Sequence, residues 1–558
     1  MGKNFITQLL ILSALVFFYV SGFAQSVNLP SSSIDVIHYV FNLTIHDNSN
    51  EIQGDAIIFV SLPPSQPPPY VLHLASSDSG AVRGMTVDEI LFNDKPVDFK
   101  HKNHALYLQI PLSERNHSEG TFRIKYHGIP SDGLIIEQNK YGDRTFFGDN
   151  WPNRAHFWLP THDHPSDKAT CEFIITAPDH YKVISNGKLL EESDLLPNGQ
   201  DPLRYKLTHW AIDRPIPTKV MVIGAARFAV QYPLTNQSVA IENWLYPEDK
   251  ESGFKKFAPT ADIVTFYENI LGAYPYQKIA NVQSKTQYGG MENATAIFYS
   301  ESVIVDQASI EGLIAHEIAH QWFGNAVSEK KWTDVWLSEG FSTYMTHLYF
   351  EHTYGRDSMS TRLLTDKERI FSFHLKSPEA KVVESRVENL FQLLNANSYQ
   401  KGAWVLHMLR AKVGDDVFFS ILKQFFKEYK HRNASTENFI ALASKLANLD
   451  LSNFFSQWLY RSDYPVLKSD WKYQSIGKKL KVKLKQMNTT KPFIFPLQIG
   501  IHYSDGKVSE VRSVYVDEID ETYTLNVNSR VKKVVLDPAI WLLYDTPATK
   551  EDKQVLNQ

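Results

Sequence analysis

The stretch that most constrains this chain is His316-Glu317-Ile318-Ala319-His320, followed nineteen positions after His320 by Glu339 in Leu337-Ser338-Glu339-Gly340-Phe341. The first piece lies in a run from Gly312 to Phe323 that lacks Pro, spaces its apolar residues helically and stops at Gly324, so it predicts a helix. Residues four apart share a helix face, so His316 and His320 aim two imidazoles at one point. Glu317, about 100° further round, points beside that point and suits a general base. Thr333 or Asp334 is the expected cap of a second helix through Trp336, Leu337, Glu339, Phe341, Tyr344 and Met345. The polar segment Ser328-Glu329-Lys330-Lys331 is long enough for that helix to fold back and offer Glu339 as a third ligand. Two His, one carboxylate and an open fourth position describe a catalytic zinc, whereas structural zinc is usually closed by four ligands rich in Cys. The chain has a single Cys, Cys171, so the expectation is one catalytic Zn2+ per chain.

At the amino terminus a positive charge at Lys3 precedes an apolar run from Leu9 to Val20 and the small residues Gly22 and Ala24. This is the pattern of a cleavable signal peptide, residues 1–24, with cleavage after Ala24 and export to the periplasm or medium; an uncleaved anchor, and with it a membrane attachment, is the alternative. The 558 residues are 43% apolar and 21% charged with a net charge of -5, an ordinary globular composition with room for about three domains and no basic excess that would point to nucleic acid. An exported chain with one Cys relies on buried core rather than disulfides. Asn-x-Ser/Thr sequons occur at Asn42, Asn116, Asn236, Asn293, Asn433 and Asn488.

From residue 25 to 246 the signal is β, with short runs such as Val36–Ile45, Asp55–Val60 and Ala105–Ile110 between Asn, Asp, Gly and Pro clusters, and a proline-rich connection from Pro63 to Pro69. This predicts a large antiparallel sheet domain. From 247 to 463 helical runs take over, at Phe257–Leu271, Ile310–Phe323, Asp334–Glu351, Tyr399–Val413, Asp416–Tyr429 and Thr436–Leu446. From 464 to 558 the pattern returns to β, with Lys479–Leu484 and a hairpin signal at Asp505-Gly506, and predicts a small sandwich. The fold class expected is therefore multidomain α+β.

Two further stretches stand near this signature. Gly289-Gly290-Met291-Glu292-Asn293 lets backbone approach a ligand beside a negative charge, although Gly-Gly before Met-Glu-Asn is by itself more often a turn. Tyr399, in Tyr399-Gln400-Lys401-Gly402, reads alone as a half-buried aromatic at a helix start.

Together these motifs resemble the zinc aminopeptidases typified by aminopeptidase N and the leukotriene hydrolase, a gluzincin group, over most of the mature chain. Phe266-Tyr267-Glu268-Asn269, Gly272-Ala273-Tyr274-Pro275-Tyr276 and Ser185-Asn186-Gly187 are similar as well. The resemblance implies a β saddle, a thermolysin-like catalytic domain and a β sandwich, without the large helical domain that many members add. It implies that Gly289, Gly290, Met291, Glu292 and Asn293 form a substrate-binding edge strand, that Glu292 holds the substrate's free α-amino group and that Tyr399 stabilises an oxyanion. The chain departs from the family where Asp149 replaces a Gln that contacts substrate and where Thr346 replaces a Glu seven positions after the third ligand. Arg154, His156, His162, Asp163 and His164 match no metal spacing and are expected to be structural or cleft-lining. The function expected is removal of amino-terminal residues from peptides with a free amino terminus. An endopeptidase, an epoxide hydrolase or a noncatalytic peptide receptor would use the same site.

Overall fold

A computed structural model describes residues 29–547 apart from 63–69, 78–82, 112–113, 115–117, 197–203, 235–238, 307, 386 and 505–509. The expected signal peptide, the proline-rich connection, the Asp505-Gly506 turn and the sequons at Asn116 and Asn236 lie outside the described residues. The described residues form two compact units, one of those within 29–338, 387–393 and 426–435, the other of those within 339–385, 394–425 and 436–547.

The first unit is β-rich. Its largest sheet has eight strands, in the order Lys188–Leu195, Tyr205–Pro217, Lys168–Pro178, Asp35–Thr44, Ile52–Ser61, Glu119–Ile129, Gly84–Phe92 and Lys95–Pro96. All its pairs are antiparallel except Asp35–Thr44 with Lys168–Pro178. Alternation drives it: in Asp35–Thr44, Val36, Tyr39, Phe41 and Leu43 are buried and their neighbours are not.

A five-stranded sheet in the same unit positions the site. Its order is Ala229–Gln231, Ala240–Leu245, Lys278–Ser284, Ala296–Ser300 and Gly290–Met291. Every residue of the central strand Lys278–Ser284 is buried, and the last, two-residue strand is an edge, antiparallel to Ala296–Ser300. Beside it runs the helix Glu311–Ala319, tied to the helix Thr260–Leu271 by the Tyr267 hydroxyl, which donates to the Ala315 carbonyl at 2.9 Å.

The second unit holds the helices Trp336–Tyr354 (from its fourth residue), Arg356–Lys376, Gly402–Val413, Asp415–Tyr429 (as far as Phe425), Thr436–Ala447 and Ser452–Leu459. Two three-stranded sheets follow, Leu467–Gln474, Lys479–Gln486, Asp520–Asn526 and Glu510–Val516, Phe495–Tyr503, Val531–Leu536. Leu480 and Val482 of one and Ile499 and Ile501 of the other share a core, which makes the expected sandwich. The pairing of Phe495–Tyr503 with Glu510–Val516 fits the hairpin read at Asp505-Gly506. One helix boundary differs from expectation, and one helix is unexpected. The helix carrying Glu339 begins at Trp336 after a 3-10 turn, Trp332–Asp334, so neither Thr333 nor Asp334 caps it directly. The 21-residue helix Arg356–Lys376 has only Met359, Leu363, Asp366 and Ile370 buried, too narrow an apolar stripe for sequence periodicity to reveal.

Candidate functional site

His316 lies on the motif helix, and His320 caps it in αR conformation with its N–H on the His316 carbonyl at 3.2 Å. Helical spacing therefore holds across the motif, and the two Nε2 atoms face each other 3.0 Å apart. A tetrahedral ion holding two nitrogens at about 2.0–2.1 Å would separate them by roughly 3.3 Å, so this pair is set at nearly the required bite. The other ring nitrogen of His320 decides its tautomer. Nδ1 lies 3.1 Å from the Phe323 carbonyl, which only accepts, so Nδ1 carries the proton and Nε2 presents its lone pair. Ser338 Oγ lies 3.0 Å from the same Nδ1. Gly324, at φ +124°, allows this packing, because a Cβ there would collide with the Ser338 hydroxyl.

Ser338 is followed on the same helix by Glu339, which is 3% exposed. His316, His320 and Glu339 present ligand atoms all within 4.8 Å of one another. The donor set, two imidazoles of which one has its tautomer fixed and a buried carboxylate, fits zinc.

A second group converges on His320. Glu292, Glu317 and His320 bring their polar atoms within 4.8 Å of one another, and all three are buried. Glu317 lies directly over the edge strand: a Cβ on Gly290 would stand 2.5 Å from Glu317 Oε1, so only glycine permits this approach. Glu292 is fixed through its backbone, its carbonyl accepting from Gln321 Nε2 at 3.0 Å and Asn325 Nδ2 at 2.6 Å. Gln321 Oε1 in turn accepts the Thr295 N–H at 3.0 Å. These two amides, one residue and five residues past the motif, do not stand out in the sequence; an amide in the turn after a helix carries no local signal. Met291 pairs with Phe298, and Gly289 accepts the Ser300 N–H at 3.1 Å. Asn293 is fully buried, which closes its sequon to modification in the folded chain.

Asp149 is wholly buried, and its Oδ1 accepts from Arg154 Nη2 at 2.7 Å while Arg154 Nη1 donates to Asp132 at 2.8 Å. Burial pushes the Asp149 carboxyl above its ordinary range against the pull of Arg154. Burial also works against the Arg154 charge, but the two carboxylates more than offset it and hold the guanidinium ionised. Asp149 and Arg154 also act on the Tyr288 hydroxyl, which burial raises well above the usual phenol range, as does the charge of Glu292. The Trp151 ring meets Tyr288, Trp332 and Phe391 edge-on at centroid distances of 6.4, 6.1 and 6.0 Å. His156 and Asp163 form a buried pair at 2.9 Å and Asp163 accepts from Thr218 at 2.8 Å, a structural network in which no third ligand joins among the described residues.

In the second unit Tyr399 lies in a single π turn, Asn397–Lys401, that leads into the helix Gly402–Val413. The backbone of Gly340, next to Glu339, packs on this turn: a Cβ there would lie 3.0 Å from Gly402 Cα and 3.1 Å from the Ser398 carbonyl oxygen. Lys401 is fully buried and donates to the carbonyls of Arg461, Ser462 and Asp463 at 3.1 to 3.3 Å, anchoring the turn. Thr346 donates to its own helix, to the Ser342 carbonyl at 2.9 Å, and supplies nothing in place of the Glu of the resemblance.

An edge strand, a helix with two facing imidazoles and a following helix with a buried carboxylate make a candidate metal centre. The chain belongs to the M1 peptidase family: residues 36–218 match the peptidase M1 N-terminal domain and residues 256–458 the peptidase family M1 domain, together more than half of the chain. Glutamyl aminopeptidase of Bos taurus is 25% identical over 340 residues, 58% of this chain and 34% of the relative. Probable aminopeptidase 2 of Sulfurisphaera tokodaii is 23% identical over 459 residues, 78% of this chain and 56% of the relative. The chain thus spans roughly a third to a little over half of the length of these relatives. The fold is that of Legionella pneumophila aminopeptidase A, solved in complex with aspartic acid, with a TM-score of 0.79 at 19% identity over 94% of this chain and 61% of that one.

Proposed function

We propose that this chain is a zinc-dependent aminopeptidase that removes residues from the free amino terminus of peptides. The observation that carries the reading is the convergence of Glu292 and Glu317 on His320, beside the edge strand Gly290–Met291 and within reach of His316 and Glu339. Zinc held by His316, His320 and Glu339 supplies, when bound, Lewis acidity toward the scissile carbonyl and toward water. Glu317 takes the proton of the attacking water and returns it to the leaving amine. The strand edge offers main-chain hydrogen bonds to an extended substrate, where Gly289 and Gly290 raise no side-chain barrier. Tyr399 donates its O–H to the oxyanion.

Glu292 makes the enzyme an exopeptidase. A substrate ammonium buried in this site needs an anion, and Glu292 is the carboxylate that stands next to the base. Asp149, wholly buried and engaged by Arg154, is the second carboxylate in this reading that bears on the first residue of the substrate.

The test is a panel of free and amino-acetylated peptides, including ones with an acidic first residue, and a lipid epoxide, with and without a chelator. Hydrolysis of free peptides alone, abolished by the chelator, is expected; cleavage of acetylated peptides at comparable rates sinks the reading. Glu292→Ala should lower kcat/KM on free peptides by about 30- to 4,000-fold, the loss of one partner of a desolvated charge pair. It should discriminate against acetylated peptides much less than the wild type does. Equal discrimination by both would assign the amine to another residue, with Asp149 the first to examine.

A further inference from the structure

One surface of the sandwich is charged out of keeping with the rest of the chain. In Lys479–Gln486 every second residue is buried, and the alternate positions Lys479, Lys481, Lys483 and Lys485 are exposed on one face. This strand is central in its sheet, so the neighbours extend that face. On one side Lys472 stands opposite Lys481, Asp470 opposite Lys483 and Lys468 opposite Lys485; on the other stand Thr524, Thr522 and Asp520. Six lysines and two aspartates share the face, and among the described residues only Lys483 has an ion-pair partner here, Asp520 at 3.4 Å, whereas the whole chain carries a net charge of -5. Two directly opposed lysine pairs repel, so the arrangement costs stability rather than adding it. Along the strand these charges recur at roughly 6.6–6.8 Å and across strands at about 4.8 Å, a two-dimensional lattice of charge.

Apolar side chains stand at both ends of the lysine row. Ile476, in the turn that joins Leu467–Gln474 to Lys479–Gln486, is 93% exposed, and Met487, the next outward position after Lys485, is 46% exposed. The aromatic residues of these strands do not join them: Trp471 and Tyr523 both register with Val482, on the opposite face. A stacking platform for nucleic-acid bases is thus missing from this face.

We propose that this face docks the protein on a membrane surface rich in anionic phospholipid, with the lysines over the headgroups and Ile476 inserted at the acyl boundary. A flat, multivalent cationic field matches a two-dimensional array of phosphates, and an exposed aliphatic side chain at a hairpin tip adds the apolar contact that a soluble polyanion cannot use. Attraction of this kind weakens as salt shortens the screening length, while the contribution of Ile476 persists.

The full chain is sedimented with phosphatidylcholine vesicles with and without phosphatidylglycerol. Binding to the anionic vesicles alone is expected. The combined variant Lys472→Gln, Lys479→Gln, Lys481→Gln, Lys485→Gln should bind about five-fold more weakly per lysine neutralised, several-hundred-fold in all. It should melt no lower than the wild type, since it relieves repulsion. A charge-matched control, with Lys250, Lys255, Lys423 and Lys427 changed to Gln, should lose far less. Ile476→Ser should weaken binding at both low and high salt. The proposal is overturned if the wild type ignores anionic vesicles or binds both kinds alike. It is also overturned if the two quadruple variants lose binding equally, or if heparin is bound as tightly as vesicles and Ile476→Ser changes nothing.

Discussion

In the proposed mechanism Glu317 combines two constraints that act on single atoms: it is buried beside the candidate ligand His320, and it sits against the edge strand Gly290–Met291. The first predicts that Glu317→Gln keeps its zinc, measured by metal analysis, while kcat falls by about 10²- to 10⁴-fold, the usual worth of a positioned base. Wild-type turnover in that variant would remove Glu317 from the mechanism. The second constraint concerns Gly290, whose Cβ would stand 2.5 Å from the Glu317 carboxylate. In Gly290→Ala the side-chain end of Glu317 can swing away at little cost to folding, so melting should change slightly while kcat drops at least tenfold, a misplaced base being costly. A variant with full kcat would show that Glu317 reaches its working position by another path.

At the scale of elements, the turn after the motif helix is what holds the edge strand against that helix. Asn325 clamps the Glu292 carbonyl from this turn, and the turn is itself held by Lys168, whose ammonium donates to the carbonyls of Asn325 and Ala326, each at 2.9 Å. Burial of Lys168 pulls its pKa down from 10.5 to about 7, with the charge of Glu329 pulling the other way. The unfolded chain therefore binds this proton over a range where the folded chain releases it, and stability must rise with pH between about 7 and 10, by at most about 1.4 kcal/mol per pH unit. Urea unfolding of wild type and Lys168→Met across that range should show the difference: the wild type gains on the variant as pH rises. Parallel curves would mean that the carbonyl bonds keep Lys168 charged throughout. Nearby, Lys219 and Glu329 form a buried pair at 2.6 Å, which ties the strand Val327–Glu329 to the turn Thr218–Val220.

For the molecule as a whole, a metal that binds only the folded chain is a stabilising ligand. Zinc at a thousand-fold excess over its Kd adds about 4 kcal/mol of stability, visible as a raised Tm, and His320→Ala should abolish the shift. An equal shift in the variant would move the metal elsewhere. Much of this architecture was legible in the residues, because period-2 and period-3.6 patterns are local: they revealed the strands of the first unit, the sandwich strands and the helix that faces His316 toward His320. The same rules could not reveal the helix Arg356–Lys376, whose buried stripe is one residue wide and includes Asp366, there to accept from His347 at 2.7 Å. Nor could they tell whether Gly289–Asn293 is a turn or a strand, since two residues of ladder with Ala296–Ser300 leave no periodicity to read. By itself, then, the sequence determined which residue types stand four apart on a helix and which strands alternate, since those depend on backbone geometry alone. Only the tertiary structure decided that Glu292 meets Glu317, that Ser338 packs on the His320 ring and that Gln321 and Asn325 hold the strand, because such contacts come from packing between segments distant in the chain.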